Sequence, residues 1–241
     1  MRFLKIIFIL FPFFLFPFLL NGEVGKQVRI DVIPQWYSKD NIKVYGQISV
    51  RREFKNYDWI RYVLKPSIAY SLDDEWSLRG GLGLLYTDNK EINGFEIADR
   101  LEIRPFQGIK YNYIFNDFWS VNTYGRLEER FDFNTETEDS VNSLRFRLKV
   151  ETIYKFDAYR PSRYYRAMAS LEGFSAFTDV RHQTNEKFRF MIGLKRSFNH
   201  NQKGRIDISF ERQDSSYSQV YLRLRYYPTW GTLFNKIRKQ D

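Results

Sequence analysis

Strict alternation of apolar and polar side chains runs through residues 119–156, in two long stretches separated by an acidic segment. In the first stretch Arg126 and Arg130 lie on the polar face, and in the second Arg145 and Arg147 do. Successive side chains of a β-strand point to opposite faces, so a period of two is typical of strands. The two stretches therefore predict a β-hairpin with one apolar face and one charged face.

The length of these stretches indicates which solvent meets the apolar face. Each is about 10 to 15 residues long, whereas strands of soluble proteins have about 5 to 6 residues and a membrane-crossing strand needs about 9 to 11. In hydrocarbon every backbone N–H and C=O must be paired within the protein, so a spanning sheet has to close on itself. The pattern therefore favours a transmembrane barrel over a soluble sandwich.

Similar alternating stretches recur over residues 42–227, and short connections alternate with longer or more polar ones. This arrangement is typical of outer-membrane barrels. We predict an all-β, transmembrane, antiparallel up-and-down β-barrel of about ten strands, with twelve as the alternative. Residues 23–41 contain Pro34, and proline is confined to edge strands and bulges. We therefore expect this segment to form an edge strand or to lie across the barrel mouth.

The two ends of the chain differ from the barrel in composition. Residues 1–22 place Arg2 and Lys5 ahead of an apolar run that contains two prolines. This arrangement predicts a cleaved signal peptide, because the run is shorter than a membrane helix requires. Residues 228–241 are predicted to form a basic tail after the last strand.

Aromatic residues make up 19% of the chain and gather near the ends of the alternating stretches. Tyrosine, tryptophan and phenylalanine favour the membrane–water interface, so we expect two aromatic girdles. The expected girdle residues are Trp59, Tyr70, Trp76, Tyr86, Tyr111, Tyr113, Phe115, Phe118, Trp119, Phe131, Phe133, Tyr154, Phe156, Tyr226, Tyr227 and Trp230.

Composition narrows the possible chemistry. The chain has no cysteine, which excludes disulfides and thiolate chemistry. Its two histidines, His182 and His200, are far apart in predicted connections and do not form a metal site. The net charge is +9, but the basic residues alternate within strands instead of forming a surface stripe, so nucleic acid is not an expected partner. No catalytic residue, metal ligand or cofactor is assigned.

The charged residues on the polar faces form the candidate site, a lumen charge network. Two interpretations fit it: arginine and glutamate can pair across strands as a sealed core, or an excess of basic side chains can line a narrow pore that favours anions. The predicted members are Arg126, Glu128, Arg130, Arg145, Arg147, Glu151, Arg223 and Arg225.

Arginine and glutamate recur in short strand motifs at residues 51–54, 126–131, 144–148 and 172–174. With these motifs the chain resembles small outer-membrane β-barrels of Gram-negative-type bacteria, in particular a barrel family of unassigned function. The resemblance implies location in the outer membrane, contact with its lipid, and insertion by the barrel-assembly machinery. Such barrels usually end on an aromatic residue that this machinery reads, whereas here a basic tail follows Tyr227.

Two functions are compatible with these observations. The first is a non-catalytic, porin-like barrel whose charged lumen passes or binds small anionic solutes. The alternative is a lipid-active barrel enzyme, a hydrolase or acyltransferase, in which His182 acts with a nearby hydroxyl such as Ser175 or Thr178.

Overall fold

The computed structural model describes residues 23–53, 59–89, 98–135, 140–156, 165–178, 185–199, 202–212 and 217–229. Within these ranges, no helix is long and apolar enough to cross a membrane. The predicted signal peptide, the segment with His182, His200 and nearly all of the predicted tail lie outside them. The strands are β1 (Glu23–Val32), β2 (Gln35–Lys39), β3 (Ile42–Tyr45), β4 (Ile48–Glu53), β5 (Trp59–Leu64), β6 (Ser67–Ser71), β7 (Trp76–Asn89), β8 (Arg100–Ile114), β9 (Trp119–Asn134), β10 (Ser140–Lys155), β11 (Tyr165–Thr178), β12 (Asn185–Asn199), β13 (Gln202–Arg212) and β14 (Tyr217–Pro228).

The strands close into a ring. From β7 to β14 each strand pairs antiparallel with the next, β7 also pairs with β5, β5 with β4, and β4 with β1. β1 completes the ring by pairing in parallel with β14. The short strands β2, β3 and β6 extend the sheet beside β7 at one end. The predicted transmembrane β-barrel is confirmed.

The ring contains eleven strands, β1, β4, β5, β7 and β8 to β14, which corrects the predicted ten or twelve. Glu23–Val32 is neither an edge strand nor a mouth segment, because β4 and β14 bond it on both sides. Pro34 lies in the gap between β1 and β2, where its missing N–H does not interrupt a ladder. An odd number of strands can close when one neighbouring pair is parallel, and the β1–β14 seam is that pair.

Polarity is reversed relative to a soluble protein. Asp31, Glu128 and Asp207 are 0% exposed, while Ile30 is 53% and Leu171 57% exposed. Exposed apolar surface in water is unfavourable by about 25 cal/mol per Å². In contact with lipid this cost disappears, because lipid is apolar like the exposed side chains. The charged groups lie inside the barrel.

Aromatic rings form a band at one end of the barrel. The centroids of Trp76 and Tyr111 lie 4.5 Å apart, and those of Trp119 and Tyr154 4.7 Å apart. We call this end, which carries the tight connections 72–75 and 115–118, the turn end. The opposite end, where β9 ends and β10 begins, is the loop end.

Two of the expected girdle residues face the lumen instead. Trp59 lies beneath the Arg61 guanidinium at 5.1 Å, and Tyr227 lies 4.7 Å from the Lys195 ammonium. Trp59 shares strand parity with Arg61, and Tyr227 shares it with the other inward residues of β14, so their side chains point inward. Proximity to a strand end alone did not distinguish the two faces.

Candidate functional site

The inward positions of the strands build a lumen of charged side chains. Because alternate residues of each strand point inward, the positions at even spacing from Arg126 on β9 and from Arg145 on β10 face the interior. The structure places all eight predicted network residues there, namely Arg126, Glu128, Arg130, Arg145, Arg147, Glu151, Arg223 and Arg225.

Three guanidinium groups converge on Glu128. Nε of Arg145 donates a hydrogen bond to Oε2 of Glu128 at 2.8 Å, Arg126 forms an ion pair with the same carboxylate, and an Arg147 nitrogen lies 3.9 Å from it. Arg126 and Arg147 are direct cross-strand partners, where like charges repel. Glu128 therefore offsets the repulsion between neighbouring arginines.

The charge alternation continues across the next strands. Arg147 also pairs with Glu172, and Glu172 accepts a hydrogen bond from Nη1 of Arg189 at 3.0 Å. Nε of Arg189 in turn donates to Glu211 at 2.9 Å. Ion pairs thus link β9, β10, β11, β12 and β13 on the lumen side.

A second acidic centre is Asp31 on β1. Nε of Arg29 lies 2.6 Å from one carboxylate oxygen, and Nε of Arg223 lies 2.5 Å from the other. Nε of Arg225 is 3.7 Å away. Asp31 therefore joins β1 to β14 electrostatically across the parallel seam.

Asp207 connects this centre to Glu151. Nη2 of Arg225 lies 3.0 Å from Asp207, and Arg205 pairs with Asp207 on the same strand. Nη2 of Arg205 also lies 3.0 Å from Glu151, which accepts a further hydrogen bond from Lys149 at 2.7 Å. Glu151 on β10 and Arg225 on β14 are thus connected through the ion pairs of Arg205 and Asp207.

Arg130 belongs to a third group. It pairs with Glu102 on β8, and Glu102 also accepts a hydrogen bond from Nε of Arg104 at 2.9 Å. Within the described strands, Arg130 does not form an ion pair with Glu128. The predicted residues are therefore divided among three groups of ion pairs.

Several central residues were missing from the predicted network: Asp31, Glu172, Arg189, Arg205 and Asp207. Each has the inward strand parity, which is a signal present in the sequence. Asp31 lies in the segment that Pro34 indicates to be an edge strand or mouth segment, outside the predicted barrel. The pairing of Glu172 with Arg147 and Arg189 depends on strand register, which alternation does not encode.

The lumen holds two cavities that share part of their lining. The loop-side cavity, of about 400 Å³, is lined by twelve basic side chains and, among the described residues, one carboxylate, Glu211. The turn-side cavity, of about 440 Å³, is lined by eight basic side chains and, in the same described part of the chain, one carboxylate, Glu172. Gln47, Arg147, Arg189 and Arg223 line both cavities, and we call them the waist.

The described strands do not bring together a set of metal-binding side chains. Across the ranges that the structure describes, no group of three or more histidine, cysteine, aspartate or glutamate side chains is placed to hold a metal ion. His182 and His200 lie outside those ranges.

Comparison with solved structures agrees with the fold. The chain is similar to the beta domain of the Bordetella autotransporter Brka, with a TM-score of 0.53 and 10% sequence identity over 79% of this chain and 82% of that one. A second similar structure is the NanC porin, with a TM-score of 0.36 and 14% identity over 79% of this chain and 90% of that one. No curated protein matches the sequence.

The sequence match to a family covers most of the barrel. Residues 34–216 match the family described as "Protein of unknown function (DUF2490)". This range includes the strands that carry Glu128, Glu172 and Asp207. The chain therefore belongs to the DUF2490 family.

Proposed function

We propose that this protein is an outer-membrane β-barrel whose basic lumen admits small anionic solutes and forms a narrow, anion-favouring pore. The observation that carries the proposal is the lining of the loop-side cavity, which contains twelve basic side chains and one carboxylate among the described residues. Buried carboxylates pair with several of these arginines, but Arg51 and Arg61 form no ion pair within the described ranges, so the cavity keeps an excess of positive charge. A cleft with an excess of one sign of charge, walled by a low-dielectric sheet, raises the local concentration of the opposite ion.

The waist supports selectivity for anions. Arg147, Arg189 and Arg223 line both cavities, and each forms an ion pair with a carboxylate on a neighbouring strand. These ion pairs hold the guanidinium groups where the two cavities adjoin. Rings of arginine and lysine side chains select anions in pores.

The location is part of the proposal. The exposed apolar belt requires a lipid environment, and the predicted signal peptide at residues 1–22 would direct the chain to export. Outer-membrane lipid and the barrel-assembly machinery are then the partners. No catalytic step is needed for this function.

Planar-bilayer recording in asymmetric KCl tests the function. Folded protein should conduct, with a reversal potential of the sign expected for anion selectivity. Arg61→Gln removes one luminal charge from the loop-side cavity and should shift the reversal potential toward cations. Arg196→Gln is the matched control, because Arg196 is exposed on the outer face at the turn end, and it should leave the potential unchanged.

Three outcomes would overturn the proposal. The first is the absence of conductance in protein shown to be folded by heat-modifiable electrophoretic mobility. The others are cation selectivity and equal effects of the Arg61 and Arg196 substitutions.

A further inference from the structure

Four arginines occupy directly paired inward positions on four neighbouring strands. Arg61 on β5 pairs with Arg51 on β4, Arg51 pairs with Arg29 on β1, and Arg29 pairs with Arg223 across the parallel seam. We call these residues the arginine row. Directly opposed side chains have Cβ atoms about 4.5 to 5.5 Å apart, and like charges at such positions are destabilising. The row therefore requires negative charge close by.

Asp31 provides that charge for one half of the row. Its two oxygens lie 2.6 Å from Nε of Arg29 and 2.5 Å from Nε of Arg223. Asp31 is fully buried, and both of its carboxylate oxygens are used. This half of the row is neutralised within the protein.

For the other half, the described residues provide no equivalent carboxylate. Nε of Arg61 donates a hydrogen bond to Oγ1 of Thr87 at 2.7 Å, and its guanidinium lies 5.1 Å from the Trp59 ring centroid. Nε of Arg51 is buried and has no hydrogen-bond partner among the described residues. In the part of the chain that the structure describes, neither arginine forms an ion pair with a carboxylate.

Arg51 and Arg61 both line the loop-side cavity of about 400 Å³. Lys65 lines it too, further along the inward face of β5, where its ammonium lies 4.0 Å from the Phe106 ring. Guanidinium groups bind carboxylates and phosphates through two parallel N–H···O bonds. The guanidinium groups of Arg51 and Arg61 each present paired N–H donors to the same cavity. Together they suit an anion with several acceptor oxygens.

We propose that Arg51 and Arg61 form a binding site for a doubly charged phosphate group, of inorganic phosphate or of a phosphate monoester. A dianion neutralises both guanidinium groups, whereas one carboxylate would leave a net positive charge. The tetrahedral phosphate also has enough oxygens to accept hydrogen bonds from both guanidinium groups. The inference deepens the proposed function and rests on it for the route by which the anion enters the lumen.

Calorimetric titration of the folded barrel in detergent with inorganic phosphate tests the site directly. The wild type should show one saturable site, and acetate should bind at least about tenfold more weakly, as expected when charge-assisted hydrogen bonds are lost. Arg51→Gln and Arg61→Gln should each weaken phosphate binding by about tenfold or more. Arg51→Lys keeps the charge but loses the paired N–H donors of the guanidinium group. Its phosphate affinity should therefore lie between those of the wild type and Arg51→Gln.

Arg79→Gln is the control, since Arg79 lines the turn-side cavity and donates to Ser67 at 2.8 Å. It removes one luminal charge outside the proposed site and should leave phosphate affinity unchanged. The proposed site would be wrong if phosphate binding does not saturate, or if Arg79→Gln and Arg51→Gln lower phosphate affinity equally. Phosphate would then be attracted by the luminal charge as a whole. Tighter binding of glycerol phosphate than of inorganic phosphate would identify a monoester as the ligand, and the reverse order would identify the free ion.

The conductance and binding experiments can reject the pore and the phosphate site independently of each other. Phosphate binding that depends on Arg51 and Arg61, in a protein without conductance, keeps the site and rejects the pore. Anion conductance without phosphate binding keeps the pore and rejects the site.

Discussion

Glu128 shows what a single buried charge does in this lumen. Its side chain is fully buried and contacts Arg126, Arg145 and Arg147. Removing one partner from a buried ion pair costs about 3 to 5 kcal/mol, because the remaining charge is left uncompensated. We expect Glu128→Gln to lower the free energy of unfolding by about 3 kcal/mol, since glutamine keeps an acceptor oxygen but not the charge. Urea titration of the barrel in lipid vesicles, followed by tryptophan fluorescence, measures it.

The neighbouring Glu129 provides a matched control, because it has the same chemistry but is exposed on the outer face. Glu129→Gln should leave the unfolding midpoint close to that of the wild type. An unchanged midpoint in Glu128→Gln would mean that luminal water screens the three arginines. The lumen would then be wide and wet at this level rather than filled by paired side chains.

At the scale of strands, the parallel seam between β1 and β14 is what makes the barrel eleven-stranded. Ile30 and Leu224 are register partners across this seam, and both side chains are exposed on the outer face. Neighbouring strands lie about 4.8 Å apart, within the Cα separation of about 4.4 to 6.8 Å that a disulfide spans. Cysteines at Ile30 and Leu224 should therefore cross-link under mild oxidation, detected by altered electrophoretic mobility. The chain has no native cysteine to interfere.

The discriminating control uses β4, the other neighbour of β1. Val50 pairs with Ile30 on the outer face, so Val50 and Leu224 are separated by one intervening strand. Cysteines at Val50 and Leu224 should not cross-link in an eleven-stranded barrel. If they do, and the Ile30 and Leu224 pair does not, β4 is bonded directly to β14 and the ring has ten strands.

At the scale of the whole molecule, the inside-out distribution of polarity determines where the protein can be stable. Large apolar side chains cover the outer surface, and carboxylates such as Asp31 and Asp207 are fully buried. We expect the protein to fractionate with outer membranes on a density gradient and to be released only by detergent, because water is a poor solvent for the belt. A monodisperse protein in the periplasmic fraction without detergent would contradict this prediction.

The face that each strand residue occupies could be predicted from the sequence. Leu148 is exposed on the outer face and Arg147 lines the lumen, as their alternation indicates. The reason is local, because the pleat sends successive side chains to opposite sides whatever the strand pairs with. The same rule placed all eight predicted network residues in the lumen. It also gives the inward face of Trp59 and Tyr227, which were assigned to the interface because they lie near strand ends.

The cross-strand partner of each charge was decided by tertiary structure, whereas pairs such as Arg205 and Asp207 are two residues apart on one strand. Asp31 and Arg223 are 192 residues apart in the chain and meet because β1 closes the ring against β14. The same closure set the strand count and placed Arg223 beside Arg29, while the pairing of β1, β4 and β5 aligned Arg29, Arg51 and Arg61. Strand order and register depend on hydrogen bonds between distant segments, whereas a period of two is the same in every register that keeps the apolar face outward. The alternation therefore determined an apolar outside and a charged inside, and the closure of the ring determined which arginines share a carboxylate and which do not.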